Sequence, residues 1–140
     1  MPRLPATAMR RRVEAARVGR LATVSSDGRP HLVPVVFALS GDTLVTAVDA
    51  KPKSGGRLRR LDNIRANPRV TVLVDHYDED WSRLWWIRLD GEARILADPA
   101  STRGPLALLT GKYGQYRRQP PQGPVVSIRL RGWRGWAAQG

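Results

Sequence analysis

The residues of this chain best suited to chemistry are cationic, and they fall in one stretch, DAKPKSGGRLRRLDNIRANPRV, from Asp49 to Val70. Lys51, Lys53, Arg57, Arg59 and Arg60 lie there, between an apolar strand pattern and a short helical pattern that starts near Gly55-Gly56. Amides at a helix start, joined by guanidinium and ammonium groups, can surround a phosphate. The same run also reads as solvated charge on an exposed loop and helix. It has neither the spacing of a phosphate-binding loop nor that of a dinucleotide fingerprint.

Other groups carry weaker signals. Asp75, Asp78, Glu79 and Asp80 cluster beside His76, but no second histidine is near and no calcium-loop spacing is present, so a solvated turn is the plainer reading. His31 stands alone on an apolar strand, and no Ser/His/Asp triad can be assembled. Trp85, Trp86, Trp133 and Trp136 could stack on a planar ring or fill a core or subunit contact. The chain has no cysteine, which excludes disulfides, thiol catalysis and cysteine-ligated metals.

The 140 residues fit one domain, expected to span 1–140. A net charge of +12 comes from 24 Lys+Arg against 12 Asp+Glu, a balance that attracts polyanions or a cofactor with a charged tail. Helix-turn-helix, zinc-finger and RNP-like patterns are missing, so nucleic acid is not the expected partner. No apolar run approaches the roughly 18 residues of a membrane span, and a cytoplasmic protein is expected.

These groups must be positioned by the surrounding elements. Met9, Val13 and Ala16 predict an amphipathic helix from about Thr7 to Val18, with Gly19 as its cap. Three β-rich runs follow, separated by Ser26-Asp27-Gly28 and Ser40-Gly41-Asp42. The middle run is apolar on both faces and is marked at Pro34 as an edge, a bulge or a place where a ligand replaces a strand. Leu58, Leu61 and Ile64 predict a short helix ended by Asn67-Pro68.

VTVLVD and WSRLWWIRLDGEARIL read as strands, the second long and bulged at Gly91. Asp98-Pro99 starts a helix toward Tyr113 that Gly104-Pro105 should interrupt, GQYRRQPPQGP reads as loop, and VVSIRLRGWRGWAA is a final strand. The expected architecture is mainly β, a six-stranded antiparallel barrel with helical caps.

The segments GRLATVSSDGRPHLVPVVFAL, TAVDAKPK, NIRANPRVTVLVD and WWIRLDGEARIL, in this order, resemble the pyridoxamine 5′-phosphate oxidase-like, F420-dependent oxidoreductases of the FMN-binding split-barrel superfamily. The likeness runs from about Arg17 to Ala137. It implies a split β-barrel homodimer with two sites at the subunit interface, each holding coenzyme F420, a deazaflavin, or alternatively FMN. It assigns phosphate contacts to Lys51, Lys53, Arg57 and Arg60. The ring would lie on backbone groups of Pro34, Val35, Val36 and Phe37, near Thr46 and Ala47, with Trp86 and Trp133 or Trp136 approaching the ring or the substrate.

The implied reaction is hydride transfer between F420 and an unsaturated or conjugated small molecule. No catalytic side chain is assigned; His31, Tyr113 and Tyr116 are the candidates if a protein acid takes part. The alternative is a flavin, deazaflavin or tetrapyrrole binder on the same barrel that catalyses nothing.

Overall fold

The computed structural model describes residues 3–48 and 58–139. Its elements run α1 (Ala6–Ala15), β1 (Gly19–Val24), β2 (Pro30–Val35), β3 (Ala38–Ser40), β4 (Thr43–Ala47), α2 (Arg59–Ala66), β5 (Arg69–His76), β6 (Trp85–Leu96), α3 (Pro99–Lys112), α4 (Gly114–Arg118) and β7 (Val125–Ala137). A single 3-10 turn, Trp81–Arg83, interrupts the connection from β5 to β6.

The strands form one antiparallel sheet in the order β2-β1-β5-β6-β7-β4-β3. Neighbouring strands lie about 4.8 Å apart, so a flat sheet of this order would hold its two edges roughly 29 Å from each other. Yet β2 and β3, the two edges, are joined by Val36 and Phe37 alone. Three peptide units span at most about 11 Å. The sheet must therefore curl round until its edges meet, which makes a barrel closed by the chain instead of by a hydrogen-bonded seam.

This split corrects the expectation of six strands to seven. The middle β-rich run does not continue to Leu39 as one strand. It breaks at Val36-Phe37, after which its first half stays paired with β1 and its second half pairs with β4. The ladder between β1 and β2 is unbroken through Pro34, opposite Arg20. A proline can hold such a place only where its missing N–H faces away from the partner strand. Pro30 has the same register parity, so both prolines leave the outer edge of β2 with fewer donors, a known protection for an exposed edge. The outer face of β2 is also not covered, because Leu32 and Pro34 are exposed.

Four smaller expectations change. The helix α1 ends at Ala15, and Gly19 opens β1, where an added Cβ would meet Val72 Cγ1 at 3.1 Å. The irregularity beside Gly91 lies in the partner strand: Asp90 faces Gly132 and Gly91 faces Leu130, which leaves Arg131 of β7 as the extra residue. Gly91 is needed for a different reason, since a Cβ there would stand 2.5 Å from the Arg129 carbonyl oxygen. The helix α3 runs through Gly104-Pro105, and residues read as loop form α4. Pro105 removes only the one bond its N–H would give to the Ser101 carbonyl, near the start of the helix.

The barrel interior holds the fully buried Leu21, Phe37, Leu44, Ile87, Leu89 and Ile128. A second cluster, including Ala38, Val45, Leu109, Tyr113 and Val125, lies where α3 and α4 cover the outer side of β3, β4 and β7. Among the described residues, no helix is long and apolar enough to cross a membrane.

Candidate functional site

Where the barrel splits, a pocket of about 160 Å³ is lined by Val18, Pro34, Val35, Val36, Thr46, Ala47 and Arg60. Three elements meet there. The end of β2 supplies Pro34 and Val35, the end of β4 supplies Thr46 and Ala47, and the first turn of α2 supplies Arg60. Its lining is mixed, with apolar Val18, Val35, Val36 and Ala47 beside polar Thr46, and among the described residues its one charged group is a guanidinium, a composition that suits a flat ring that carries an anion.

Five of the residues expected against a ring and one expected at a phosphate thus share one cavity. Phe37 stands behind it, fully buried, with its ring in the core. Lys51, Lys53 and Arg57 lie outside the described residues. The segment that carries them follows Ala47 by four positions and precedes Arg60 by three, so both of its flanks reach the pocket. The helix expected near Gly55-Gly56 begins at Arg59.

Trp86 and Trp136 do not line this pocket. They occupy opposite positions on β6 and β7, on the outer face, three and four strands from β2 in the sheet order. The indole N–H of Trp136 is buried with no acceptor. Trp85 and Trp133 pack against the core instead, under the guanidinium groups of Arg12 at 5.8 Å and Arg10 at 4.9 Å. His31 sits on β2 opposite Thr23, its Nδ1 buried and unpartnered, while the Thr23 hydroxyl accepts from Asn63 at 3.0 Å. Tyr116 is buried in the second cluster.

Tyr113 has a place that sequence alone could not show. Its hydroxyl accepts from the Phe37 amide at 3.1 Å and faces the carbonyls of Phe37 at 2.9 Å and Arg17 at 3.0 Å. A phenol has one proton, so it donates to one carbonyl at a time. The peptide groups freed where β2 leaves the sheet are thereby satisfied by a side chain 76 positions away. Burial, the larger effect, pushes the Tyr113 hydroxyl above its ordinary value, against the pull of the Phe37 hydrogen bond and the Arg17 charge.

Lys112, next to it, places its ammonium 4.1 Å over the Phe37 ring and 5.3 Å from that of Tyr113, with no hydrogen-bond acceptor. Arg17 lies over the Tyr113 ring at 4.6 Å and donates to the Lys112 carbonyl at 3.1 Å. Burial, then the Arg17 charge, lower the lysine to about 8, with Glu14 opposing them. The unfolded chain keeps that proton up to 10.5, so between about pH 8 and 10 it holds more protons than the folded one, and stability rises with pH. Above 10 the raised Tyr113 acts in the opposite sense. Urea midpoints measured across pH 8 to 10 should show this slope in the wild type, and a flatter one in Lys112→Met.

A larger groove, about 590 Å³, crosses the outer face of β1, β5, β6 and β7. Its carboxylates are already engaged: Asp90 by the Thr71 hydroxyl at 2.7 Å and Arg88 at 3.6 Å, and Glu92 by Arg131 at 3.8 Å. It collects none of the residues expected at a ring or a phosphate. Among the described residues, no group of three or more His, Cys, Asp or Glu is arranged to hold a metal.

An antiparallel barrel closed through a two-residue link, with an arginine-edged pocket at the link, defines the class of split-barrel proteins. Residues 6–137 match the family described as pyridoxamine 5′-phosphate oxidase, and the chain belongs to that family. It is 36% identical over 63 residues to a 5a,11a-dehydrotetracycline/5a,11a-dehydrooxytetracycline reductase of Streptomyces rimosus. That match takes in 45% of this chain and 43% of the reductase, so the chain matches less than half of that relative's length.

Two solved structures share the fold. A conserved hypothetical protein from Mycobacterium tuberculosis superposes with a TM-score of 0.75 at 22% identity, over 96% of this chain and 86% of that one. A FAD-binding protein from Mesorhizobium loti gives 0.72 at 24% identity, over 96% and 95%.

Proposed function

We propose that this protein is an oxidoreductase that holds a phosphorylated tricyclic cofactor, coenzyme F420 with FMN as the alternative, in the pocket at the barrel split. The observation that carries the reading is the meeting of Pro34, Val35, Val36, Thr46, Ala47 and Arg60 in one cavity. The family supports it, as does a relative that is a reductase.

The residues present fit such a group. The outer edge of β2 is an unpaired strand edge from which two prolines have removed donors, so it offers mainly carbonyl acceptors to the N–H groups of a heterocycle. Apolar Val18, Val35 and Ala47 supply contact for a ring face, and Arg60 supplies the charge for a phosphate. At about 160 Å³ the pocket is smaller than the roughly 300 Å³ at which small-molecule sites begin. It takes one side of a tricycle, and a second wall is required. A homodimer with the cofactor between two copies would provide that wall.

The bound cofactor would supply hydride chemistry, two electrons and a hydrogen delivered to an electrophilic carbon of a conjugated small molecule. The chain's own part is orientation and exclusion of water. The β2 edge fixes the plane of the ring, and Arg60 fixes its tail. Tyr113, through Phe37, keeps the end of β2 from shifting. Among the described residues that line the pocket there is no carboxylic acid, imidazole or phenol, and the proposed source of the proton that completes the reduction is solvent. Consumption of reduced F420 in the presence of a conjugated enone, followed by absorbance, tests the reading; binding without turnover across a panel of such acceptors would instead support a carrier protein.

A further inference from the structure

Away from the barrel split, a groove of about 320 Å³ lies on the outer side of the sheet, over β4, β7 and β6. Five side chains with polar ends share it: Thr43, Glu92, Arg94, Ser127 and Arg129. Their places follow from strand pairing. Arg129 stands opposite Thr43 on one side and Glu92 on the other, and Ser127, two residues along, stands opposite Arg94. The alternating residues Leu44, Ala93 and Ile128 are buried, so these five share the outer face.

Opposite charges on facing residues of neighbouring strands normally pair. Arg129 and Glu92 do not. The bulge in β7 takes Arg131 off the rung of Asp90, which Gly132 occupies, and Glu92 is held by this displaced arginine at 3.8 Å. Among the described residues, Arg129 and Arg94 have neither an ion pair nor a side-chain hydrogen bond. Two guanidinium groups are thus left unneutralised over one concavity. They stand on adjacent strands in diagonal positions, about 7–8 Å apart at the backbone, a spacing from which two long side chains reach one anion.

That donor set selects the ligand. Guanidinium forks match phosphate oxygens, and the Ser127 and Thr43 hydroxyls add donors in the same groove. A phosphate monoester offers three oxygens to these donors, one more than a carboxylate. Glu92 contributes acceptors: an ion pair of 3.8 Å is longer than a hydrogen bond, so its carboxylate keeps the capacity to accept from hydroxyl groups. The volume is close to the roughly 300 Å³ at which small-molecule sites begin, which suits one sugar ring with its phosphate.

We propose that the groove over β4, β7 and β6 binds the phosphate monoester of a small sugar or polyol, with the phosphate between Arg94 and Arg129 and the hydroxyl groups toward Glu92. The site shares no residue with the pocket at the barrel split, and it stands whether or not that pocket holds a cofactor. Calorimetric titration of the full chain tests it, with ribose 5-phosphate, ribose and inorganic phosphate as probes at about 0.15 M salt, where diffuse attraction to a basic surface is screened. Every titration uses an Arg60→Glu background, which removes the guanidinium of the split pocket as a competing anion site.

In that background the ester should saturate one site per chain, about tenfold or more tighter than inorganic phosphate, and ribose should not bind. Adding Arg94→Gln and Arg129→Gln together, both at exposed positions and checked for native circular dichroism, should weaken the ester about a hundredfold. Adding Glu92→Ala instead should bring ester and phosphate to about equal affinity, since only the ester uses the carboxylate. No saturable binding of the ester, an affinity that the paired arginine substitutions leave unchanged, or a preference for the ester that survives Glu92→Ala would overturn the proposal.

Discussion

Charge reversal at Arg60 is expected to weaken cofactor binding by about a hundredfold while the chain stays folded. A hydrogen bond to a charged group contributes roughly 1.5–3 kcal/mol, and a carboxylate in its place adds repulsion toward a phosphate. At about 1.4 kcal/mol for each tenfold change, Arg60→Glu reaches two orders of magnitude. The residue is half-buried in the first turn of α2, at the pocket and not in the core, so thermal stability should move little. Fluorescence titration of both proteins with F420 reads the effect directly. Unchanged affinity would mean that the phosphate is held elsewhere.

The loss of a single oxygen at Tyr113 should have the largest effect on stability. Tyr113→Phe takes the hydroxyl acceptor from the buried Phe37 amide and the hydroxyl donor from the carbonyls of Phe37 and Arg17 that it serves in turn. An unsatisfied buried group costs roughly 1–3 kcal/mol, so the total is on the order of 3 kcal/mol, or roughly 10 °C in Tm for a chain of this size. The phenylalanine ring would still meet the cations of Arg17 and Lys112, so the comparison isolates the hydroxyl. Cofactor affinity should fall as well, because Val35 and Val36 immediately precede the released peptide. Urea denaturation of the two proteins gives the first number, and the same titration gives the second.

The reason Tyr113 matters also explains what could and could not be read from residues alone. Strand patterns were legible wherever alternation persisted, as in Val126, Ile128 and Leu130 of β7, because side-chain period and burial follow the same geometry. The break between β2 and β3 was not. Pro34 drew attention to itself, but a proline at a non-bonded position leaves a ladder intact. The chain turns two residues later, at a place decided by a tyrosine 76 positions away.

Gly91 misled in a related way. It marked a close approach of backbones correctly, yet the extra residue belongs to the opposing strand, where Arg131 carries no local sign of it. At Gly104-Pro105 the propensity against helix was overridden by the burial of Thr102 and Leu109 on either side.

The pocket was legible in another sense. No spacing pointed to Pro34, Thr46 and Arg60 as neighbours; resemblance to the split-barrel oxidoreductases grouped them, and the sheet order explains the grouping through the meeting of its two edges. Val18 joins them unannounced, since nothing separates it in sequence from the end of α1. Trp86 and Trp136, grouped with the ring on the same resemblance, stand three and four strands from β2 in the sheet order within one chain. They could approach a ring only across two copies.

Titration of the purified wild-type protein with F420 and, separately, with FMN is the most direct measurement of the central claim. Saturable binding of at least one of them is expected, tighter for F420, with one equivalent per chain and a loss of affinity in Arg60→Glu. Absence of any spectral change with either cofactor would contradict it.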